Sequence, residues 1–441
     1  MFGAMFSTSL ATARTSREGW LRSMLDFEAA LAGAEADAGV IPRRAAEDIA
    51  ANCRAELFDA ESIEQRAASS ATPVIALVAD LGSLVAPDSR PHVHRGATSQ
   101  DVVDTAAMLI ARDVLDAVLA DLREAAEHCA RLAREHRETP LIARSLLQQA
   151  LPSTFGLRCA GWLTALDEAI AALRRVRERR LAVQFGGAAG TLASLGAEGP
   201  RVLAALAARL DLAEPVLPWH TDRTRIAELG GALGAASGAL SKIALDVQLH
   251  AQTEVGELAE AAPGGSSAMP HKQNPVSSVL ITAGTDRVPG LVSTLLSAMP
   301  QAYERAAGAW QSEWEPLGEL LRLAASASAR ARAMLADLRV RTDRMTANLE
   351  LTGGLVLAEN AAGKLMAAMG RDAAQQLVAE LCRKAVREGT ALRTELLAEP
   401  QVRSVLSEAE VHQATDPADY LGAAGDFVDR ALAAHAERED C

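Results

Sequence analysis

Aromatic residues are scarce in this chain of 441 residues. Phe, Trp and Tyr together make up 3% of it, and only two residues are tyrosines. Strands are enriched in such side chains, so their shortage argues against a β protein. The abundance of Ala, Leu, Glu and Arg favours helices, and the length predicts two or three domains.

Cysteines are few and show no paired spacing. The five cysteines are scattered along the chain without a CxxC pair: Cys53, Cys129, Cys159, Cys382 and Cys441. An odd number with no metal-ligand spacing disfavours both a disulfide framework and a zinc site. We therefore expect buried, reduced thiols.

Long apolar runs and an excess of basic charge are missing as well. No stretch of about 18 apolar residues occurs, and the first twenty residues lack the apolar core of a signal peptide. The formal net charge of −13 and the pI of about 5.3 disfavour nucleic acid and anionic membranes as partners. We expect a cytoplasmic protein.

The chain is rich in apolar residues at helical spacing. Two long stripes, at residues 98–138 and 221–261, advance in steps of three and four. The first comprises Val103, Ala107, Ile110, Val114, Val118, Leu122, Ala125, Cys129 and Leu132. The second comprises Ile226, Leu229, Leu233, Ala236, Leu240, Ile243 and Val247. A helix of about 40 residues would be about 60 Å long, which favours a bundle, often one built across subunits.

These patterns predict an all-α protein with three helical domains. They are an N-terminal helical domain at 1–92, a central long-helix bundle at 93–340 and a C-terminal helical domain at 341–441. A helix in 24–42 should end at Gly39. A third helical region, 276–338, should break near Pro289 and Pro300.

One loop, GGSSAMPHKQNPVSS at 264–278, interrupts the helical pattern. Consecutive Gly-Ser-Ser amides can donate hydrogen bonds to an anion. Lys272 adds a positive charge, Asn274 adds an amide donor, and the hydroxyls of Ser266 and Ser267 can pass a proton. The loop thus has the groups needed to bind a carboxylate and move a proton beside it. The alternative is an ordinary solvated loop before a helix.

A second segment, VHRGATSQD at 93–101, has two interpretations. Thr98 and Asp101 have the spacing of a helix capping box. The hydroxyls of Thr98 and Ser99 beside free helix amides also suit a carboxylate. His94 could face the same pocket, or be an ordinary surface or core histidine.

Two further features were weighed as ligand sites. The glycines of QFGGAAGT, at 184–191, lack the GxGxxG spacing and a strand–helix context, so we expect a tight turn there and no nucleotide site. His220 could contact substrate or cap the following helix.

Three motifs resemble those of the fumarase/aspartase superfamily. GSSAMPHKQNP is similar to its GSSxMPxKxNP loop, VHRGATSQD contains its GxTSxD pattern, and ARSLLQQALPSTFG, at 143–156, is similar to GRTHxQxAxP. The resemblance implies catalytic roles for Ser266 and Lys272. It implies substrate binding by Thr98, Ser99, Arg144, Gln148, Ser267 and Asn274. His94, just before the second motif, is a further candidate for substrate binding.

Longer stretches, including 184–196, 218–223, 287–315 and 348–359, resemble a family of bacterial cycloisomerases within that superfamily that lactonise 3-carboxy-cis,cis-muconate. This implies formation of 4-carboxymuconolactone in protocatechuate degradation. It also implies a homotetramer with sites shared between subunits, a small di- or tricarboxylate substrate, and neither metal nor organic cofactor.

Two departures bear on the substrate. Leu146 stands where many superfamily lyases have a proton-handling histidine. A carboxylate that adds or leaves is a stable anion and needs no proton, so lactonisation could dispense with that histidine. Gln273 removes a positive charge that the cycloisomerase loop often carries. The alternatives are a lyase such as adenylosuccinate lyase, or another enzyme that eliminates a group from a succinyl compound, and a catalytically silent structural or binding protein.

Overall fold

The computed structural model describes residues 2–265 and 268–439. Of these, 69% are helical and 5% lie in strands, which confirms the all-α prediction. The chain divides into two compact units, each assembled from three stretches. The first unit comprises Met1–Arg123, Glu168–Lys242 and Leu280–Ala331, and the second comprises Glu124–Asp167, Ile243–Val279 and Arg332–Cys441. The division into three consecutive domains stays a prediction.

Five helices open the first unit. They are α1 (Ser9–Arg14), α2 (Arg17–Asp37), α3 (Arg43–Asn52), α4 (Ala60–Ser70) and α5 (Val74–Leu84). The Ser16 hydroxyl caps α2 by accepting a hydrogen bond from the Gly19 amide at 3.0 Å. At its other end, α2 stops where Gly39 takes a φ of +75°, as predicted from the glycine.

The long helices form where the apolar stripes predict them. The next elements are α6 (Ser99–Glu135), strands β1 (Pro140–Ser145) and β2 (Gln148–Thr154), α7 (Phe155–Arg179), α8 (Gly199–Leu210) and α9 (Thr224–Ala251). Every residue of both predicted stripes is buried. Burial of one Leu, Ile or Val side chain stabilises a fold by about 1.5–3 kcal/mol, so the stripes explain these helices.

The end predicted for α9 is wrong by ten residues. The helix stops at Ala251 and not near Ala261. Gly256 has a φ of +63° and closes the turn that follows. Strand β3 (Leu258–Ala259) then pairs antiparallel with β4 (Arg339–Val340). Pairing with a distant strand thus overrides the local helical pattern.

The third helical region is broken at the predicted places. It contains α10 (Val276–Thr285), α11 (Val288–Ser297) and α12 (Trp314–Ala336). Pro289 is the second residue of α11, where its missing N–H costs nothing. Pro300 lies in the non-helical stretch 298–310.

Shorter helices complete the second unit. They are α13 (Thr342–Glu350), α14 (Ala358–Met369), α15 (Arg371–Glu388), α16 (Leu392–Ala398), α17 (Pro400–Arg403), α18 (Glu408–Ala414) and α19 (Ala424–Glu439). Their core includes Leu365, Leu381, Leu392 and Leu396. Across the described ranges 2–265 and 268–439, no helix combines the length and hydrophobicity needed to cross a bilayer.

The hairpin of β1 and β2 was not predicted. Its strands pair antiparallel from Pro140 and Thr154 to Ser145 and Gln148. The two-residue turn between them consists of Leu146 and Leu147, with φ of +51° and +64°. Such turns normally use Asn and Gly, so the sequence offered no turn signal.

Candidate active site

The GxTSxD segment is organised around one buried carboxylate of the first unit. Asp101 accepts hydrogen bonds from the amides of Gly186, Gly187 and Thr98, each at 3.0 Å. His220 Nε2 lies 2.7 Å from the same carboxylate. The glycine segment is therefore a tight turn whose amides bind Asp101 and are not available to a nucleotide phosphate.

The Thr98 and Ser99 hydroxyls stand at the start of α6. Thr98 precedes the helix, and its amide donates to the Asp101 side chain, which is one half of the predicted capping box. Both residues are half-buried. Within the described residues, neither hydroxyl forms a hydrogen bond, so both are available to a ligand.

His94 lies just before this segment and is paired with an acid. Its Nδ1 is 2.6 Å from Oε1 of Glu28, which is buried. Burial lowers the pKa of His94, but the Glu28 carboxylate outweighs burial and the net pKa is raised. The imidazole therefore holds its proton more strongly than a free histidine.

A buried ion cluster includes Asp104, near the start of α6. Arg223 is 1% exposed and donates to Asp104 at 2.8 and 3.0 Å and to Glu313 at 2.6 and 3.0 Å. Burial lowers the pKa of Arg223, but these two carboxylates raise it overall. The Trp310 indole N–H donates to Asp104 at 2.9 Å. Removal of one partner from such a cluster costs about 3–5 kcal/mol.

In the second unit, the serine-containing loop is closed at its base. Gly264 and Asn274 exchange two backbone hydrogen bonds of 2.9 Å. The Asn274 side-chain amide donates to the Gly265 carbonyl at 3.2 Å. A Cβ on Gly264 would lie 2.2 Å from Val276 Cγ2, so only glycine fits there. The predicted Ser266 and Ser267 lie outside the described residues.

The loop borders a cavity of about 720 Å³ in the second unit. Lys272, His271 and Arg341 line it, and Lys272 is exposed. In the described part of the chain neither Lys272 nor Arg341 forms an ion pair. The Glu260 carboxylate also lines the cavity, but it accepts three hydrogen bonds of 2.8–2.9 Å at the start of α10. The cavity therefore has two cationic side chains without an ion-pair partner among the described residues, and one carboxylate that is held by neutral donors.

Arg144 is held by a second buried carboxylate. Its Nη1 and Nη2 donate to Glu257 at 3.1 and 2.9 Å. His250 Nδ1 lies 2.5 Å from Glu257, and the Asn348 amide donates to it at 2.7 Å. Burial raises the pKa of Glu257, but the bonds from His250, Arg144 and Asn348 lower it to about 2. Arg144 and Gln148 were both predicted to bind substrate. Arg144 is bound to Glu257 within the protein, and Gln148 is exposed at the start of β2.

Two family models match the chain. A model described as lyase matches residues 7–290, and one described as adenylosuccinate lyase C-terminus matches residues 354–431. The protein belongs to the fumarase/aspartase lyase superfamily. The three predicted motifs all lie within residues 7–290, the range that the lyase model matches.

Individual superfamily members are similar along the whole chain. The 3-carboxy-cis,cis-muconate cycloisomerase of Pseudomonas aeruginosa is 47% identical over 99% of this chain and 96% of its own. The crystal structure of the 3-carboxy-cis,cis-muconate lactonizing enzyme from Pseudomonas putida matches with a TM-score of 0.95 and 42% identity, covering 100% of this chain and 99% of its own. The nitrosuccinate lyase of Streptomyces davaonensis is 43% identical, over 95% of this chain and 91% of its own.

The structure divides the predicted site residues of this superfamily member between its two units. His94, Thr98 and Ser99 lie in the first, and Arg144, Gln148, Lys272 and Asn274 lie in the second. Sequence reasoning missed Glu257 and Asn348. It recognised Asp101 as a residue of the motif and of the capping box, but not as the acceptor of hydrogen bonds from Gly186 and Gly187. A buried acid in a helical stretch gives no local sign of its partners, because those partners are far away in the sequence.

Proposed function

We propose that the protein is a cycloisomerase that converts 3-carboxy-cis,cis-muconate into 4-carboxymuconolactone. The main support is 47% identity, over almost the whole chain, to a relative with that name. The cavity beside the serine-containing loop suits the substrate, because Lys272 and Arg341 line it and neither forms an ion pair within the described residues. Three carboxylates require such positive charge.

In the proposed reaction, one substrate carboxylate adds to the conjugated double bond. A carbon–oxygen bond forms, and the displaced electron pair moves onto the carbon next to a second carboxylate. Lys272 and the loop amides stabilise the resulting aci-anion. Ser266 then delivers a proton to that carbon, and a proton from solvent restores the hydroxyl. The step is an isomerisation, so it consumes no oxidant or reductant, and the proposal requires neither metal nor organic cofactor.

The remaining predicted residues hold the carboxylates in this proposal. The hydroxyls of Thr98 and Ser99 support such a role, since they have no hydrogen-bond partner among the described residues. The other ligands proposed are His94, Arg144, Gln148, Ser267 and Asn274. For Arg144 the role requires N–H groups other than those that donate to Glu257.

We propose that the active enzyme is a cytoplasmic homotetramer with sites shared between subunits. Two variants that each lack one site residue, for example Thr98→Val and Lys272→Met, test the sharing. Mixed tetramers of the two should recover activity if their sites combine residues of different subunits. A mass of one subunit in light scattering, or no recovery in tetramers shown to be mixed, would contradict this proposal.

The decisive experiment follows the loss of the substrate's conjugated diene absorbance. Ser266→Ala should reduce kcat by roughly 10²–10⁴-fold with a modest change in KM, because proton delivery is lost and binding is kept. Ser277→Ala is the control, since the Ser277 hydroxyl makes no hydrogen bond within the described residues. A nearly normal kcat for Ser266→Ala would remove this serine from the mechanism.

Elimination of nitrite from nitrosuccinate is the second candidate. A relative named nitrosuccinate lyase is 43% identical to this chain. Nitrite, like a carboxylate, leaves as a stable anion, so this elimination also fits Leu146 in place of histidine. An amine leaving group, as in adenylosuccinate, requires a proton and fits less well. Two assays distinguish the candidates. With nitrosuccinate as substrate, nitrite is measured colorimetrically and fumarate by its absorbance. With 3-carboxy-cis,cis-muconate as substrate, the loss of diene absorbance is measured.

A further inference from the structure

A cavity of about 280 Å³ lies in the first unit, between helices α2, α4, α6 and α12. Its walls are largely apolar, and they include the side chains of Trp20, Leu21, Met24, Ile63, Val103 and Trp314. The volume is close to the lower limit of roughly 300 Å³ for small-molecule sites. The cavity therefore has room for a small ligand with one apolar group.

Two opposite charges of α12 border the same cavity. They are the Glu315 carboxylate and the Arg322 guanidinium, and neither forms an ion pair in the part of the chain that the structure describes. Arg322 folds back along the helix, because a Cβ on Gly318 would lie 3.6 Å from its Nη1. That Nη1 donates to the Thr15 hydroxyl at 3.1 Å. Its Nε and Nη2 have no acceptor among the described residues, so they remain available to a ligand.

The other two charged residues of the cavity neutralise each other. Arg17 Nη2 lies 2.5 Å from Glu64 Oε2. Glu315 and Arg322 are therefore the unpaired charges among the residues that line the cavity. A simple anion there would meet the Glu315 carboxylate as well as Arg322, and a simple cation would meet Arg322 as well as Glu315. A ligand that carries both charges suits the cavity better than either.

We propose that this cavity binds an α-amino acid with an apolar side chain. The ligand carboxylate accepts hydrogen bonds from Arg322, and its ammonium group donates to Glu315. The apolar side chain fills the interior between α2, α4 and α6. An α-amino acid carries both charges on one carbon, which matches two groups about one helical turn apart. The residues that line the cavity have no role in the proposed reaction, so the inference does not depend on it.

The cavity adjoins the buried ion cluster. Val103 directly precedes Asp104, and Trp314 directly follows Glu313, which are the two acids of that cluster. The Trp314 ring packs edge-on against Trp310, with 4.9 Å between the ring centroids. A ligand in the cavity therefore changes the surroundings of Trp314, and tryptophan fluorescence can report its binding.

The test first compares four ligands on the full-length enzyme by calorimetry. The probe is L-phenylalanine. The other three each lack one part of it: 3-phenylpropanoate lacks the ammonium group, 2-phenylethylamine lacks the carboxylate, and glycine lacks the side chain. L-phenylalanine should bind at least about 5-fold more tightly than any of them, because each loses one of three contacts. It should also change the tryptophan fluorescence.

Two variants and two matched controls then locate the site. Arg322→Met should weaken binding of L-phenylalanine by roughly 10- to 100-fold, and Arg322→Lys should recover part of that loss. Glu315→Gln should weaken it by roughly 2- to 5-fold, because this carboxylate is exposed. The controls are Arg225→Met, a half-buried arginine of α9 that donates to backbone carbonyls, and the exposed Glu18→Gln of α2. Neither control should change the Kd measurably.

Three results would overturn the assignment. The first is no binding of L-phenylalanine to the wild type at millimolar concentration. The second is equal affinity for L-phenylalanine and the ligands that lack one charge. The third is a Kd in Arg322→Met and Glu315→Gln that equals the Kd in the controls. A purely structural role of Arg322 would lower the thermal midpoint of Arg322→Met and leave the Kd unchanged. If that variant does not fold, the ligand series and Glu315→Gln decide.

Discussion

Loss of the Glu257 charge should weaken the protein in a strongly pH-dependent way. Glu257 is fully buried and holds β1 through Arg144, the end of α9 through His250, and α13 through Asn348. Glu257→Gln keeps the size of the side chain but leaves Arg144 without its counter-charge. The substitution therefore tests the charge and not the packing.

The magnitude follows from the pKa. The three hydrogen-bonding partners lower the pKa of Glu257 from its ordinary 4.5 to about 2. One pKa unit corresponds to about 1.4 kcal/mol, so the ionised form stabilises the fold by about 3 kcal/mol at neutral pH. Because the folded-state pKa is the lower one, this stabilisation is present above pH 4.5. It is lost as the pH falls from 4.5 towards 2.

The assay compares thermal midpoints of wild type and Glu257→Gln at pH 7, 5, 4 and 3. The variant should be less stable by a few degrees at pH 7 and 5, and the difference should shrink at pH 4 and 3. The exposed Glu380→Gln on α15 is the control and should show no such change. A deficit that stays constant from pH 7 to pH 3 would refute the charge-based reasoning and indicate a packing effect.

Two further predictions concern local conformation and protonation. Leu147→Gly should raise the free energy of unfolding in urea by about 0.5–1 kcal/mol, because relief of a φ of +64° outweighs the added freedom of the unfolded chain. The control Leu151→Gly, in strand β2, should instead lower that free energy. A lower free energy of unfolding in both variants would show that the turn is not strained. Glu28→Gln should lower the pKa of His94, which NMR titration of the imidazole can follow. Since the His94 pKa is raised in the wild type, the stability lost in Glu28→Gln should be largest below pH 6.5 and should vanish at higher pH. An unchanged His94 titration in this variant would contradict the pairing of His94 with Glu28.

Local patterns predicted the long helices but not the hairpin. The stripes of α6 and α9 repeat over many turns, so they are recognisable without any tertiary information. The hairpin has Leu146 and Leu147 at its turn, residues that do not favour positive φ. It depends on strand pairing and on the bond from Arg144 to Glu257, and neither can be seen in a short stretch.

The sequence alone determined the fold class and the regions that carry the candidate site, because an apolar repeat and an ordered motif are both local properties of a chain. Thr98, Ser99, Lys272 and Asn274 were all predicted in this way. Only the tertiary structure decided which charges are neutralised. Asp101, Arg223 and Glu257 meet partners up to 119 residues away. Electrostatic pairing depends on distance in space, and folding alone sets that distance.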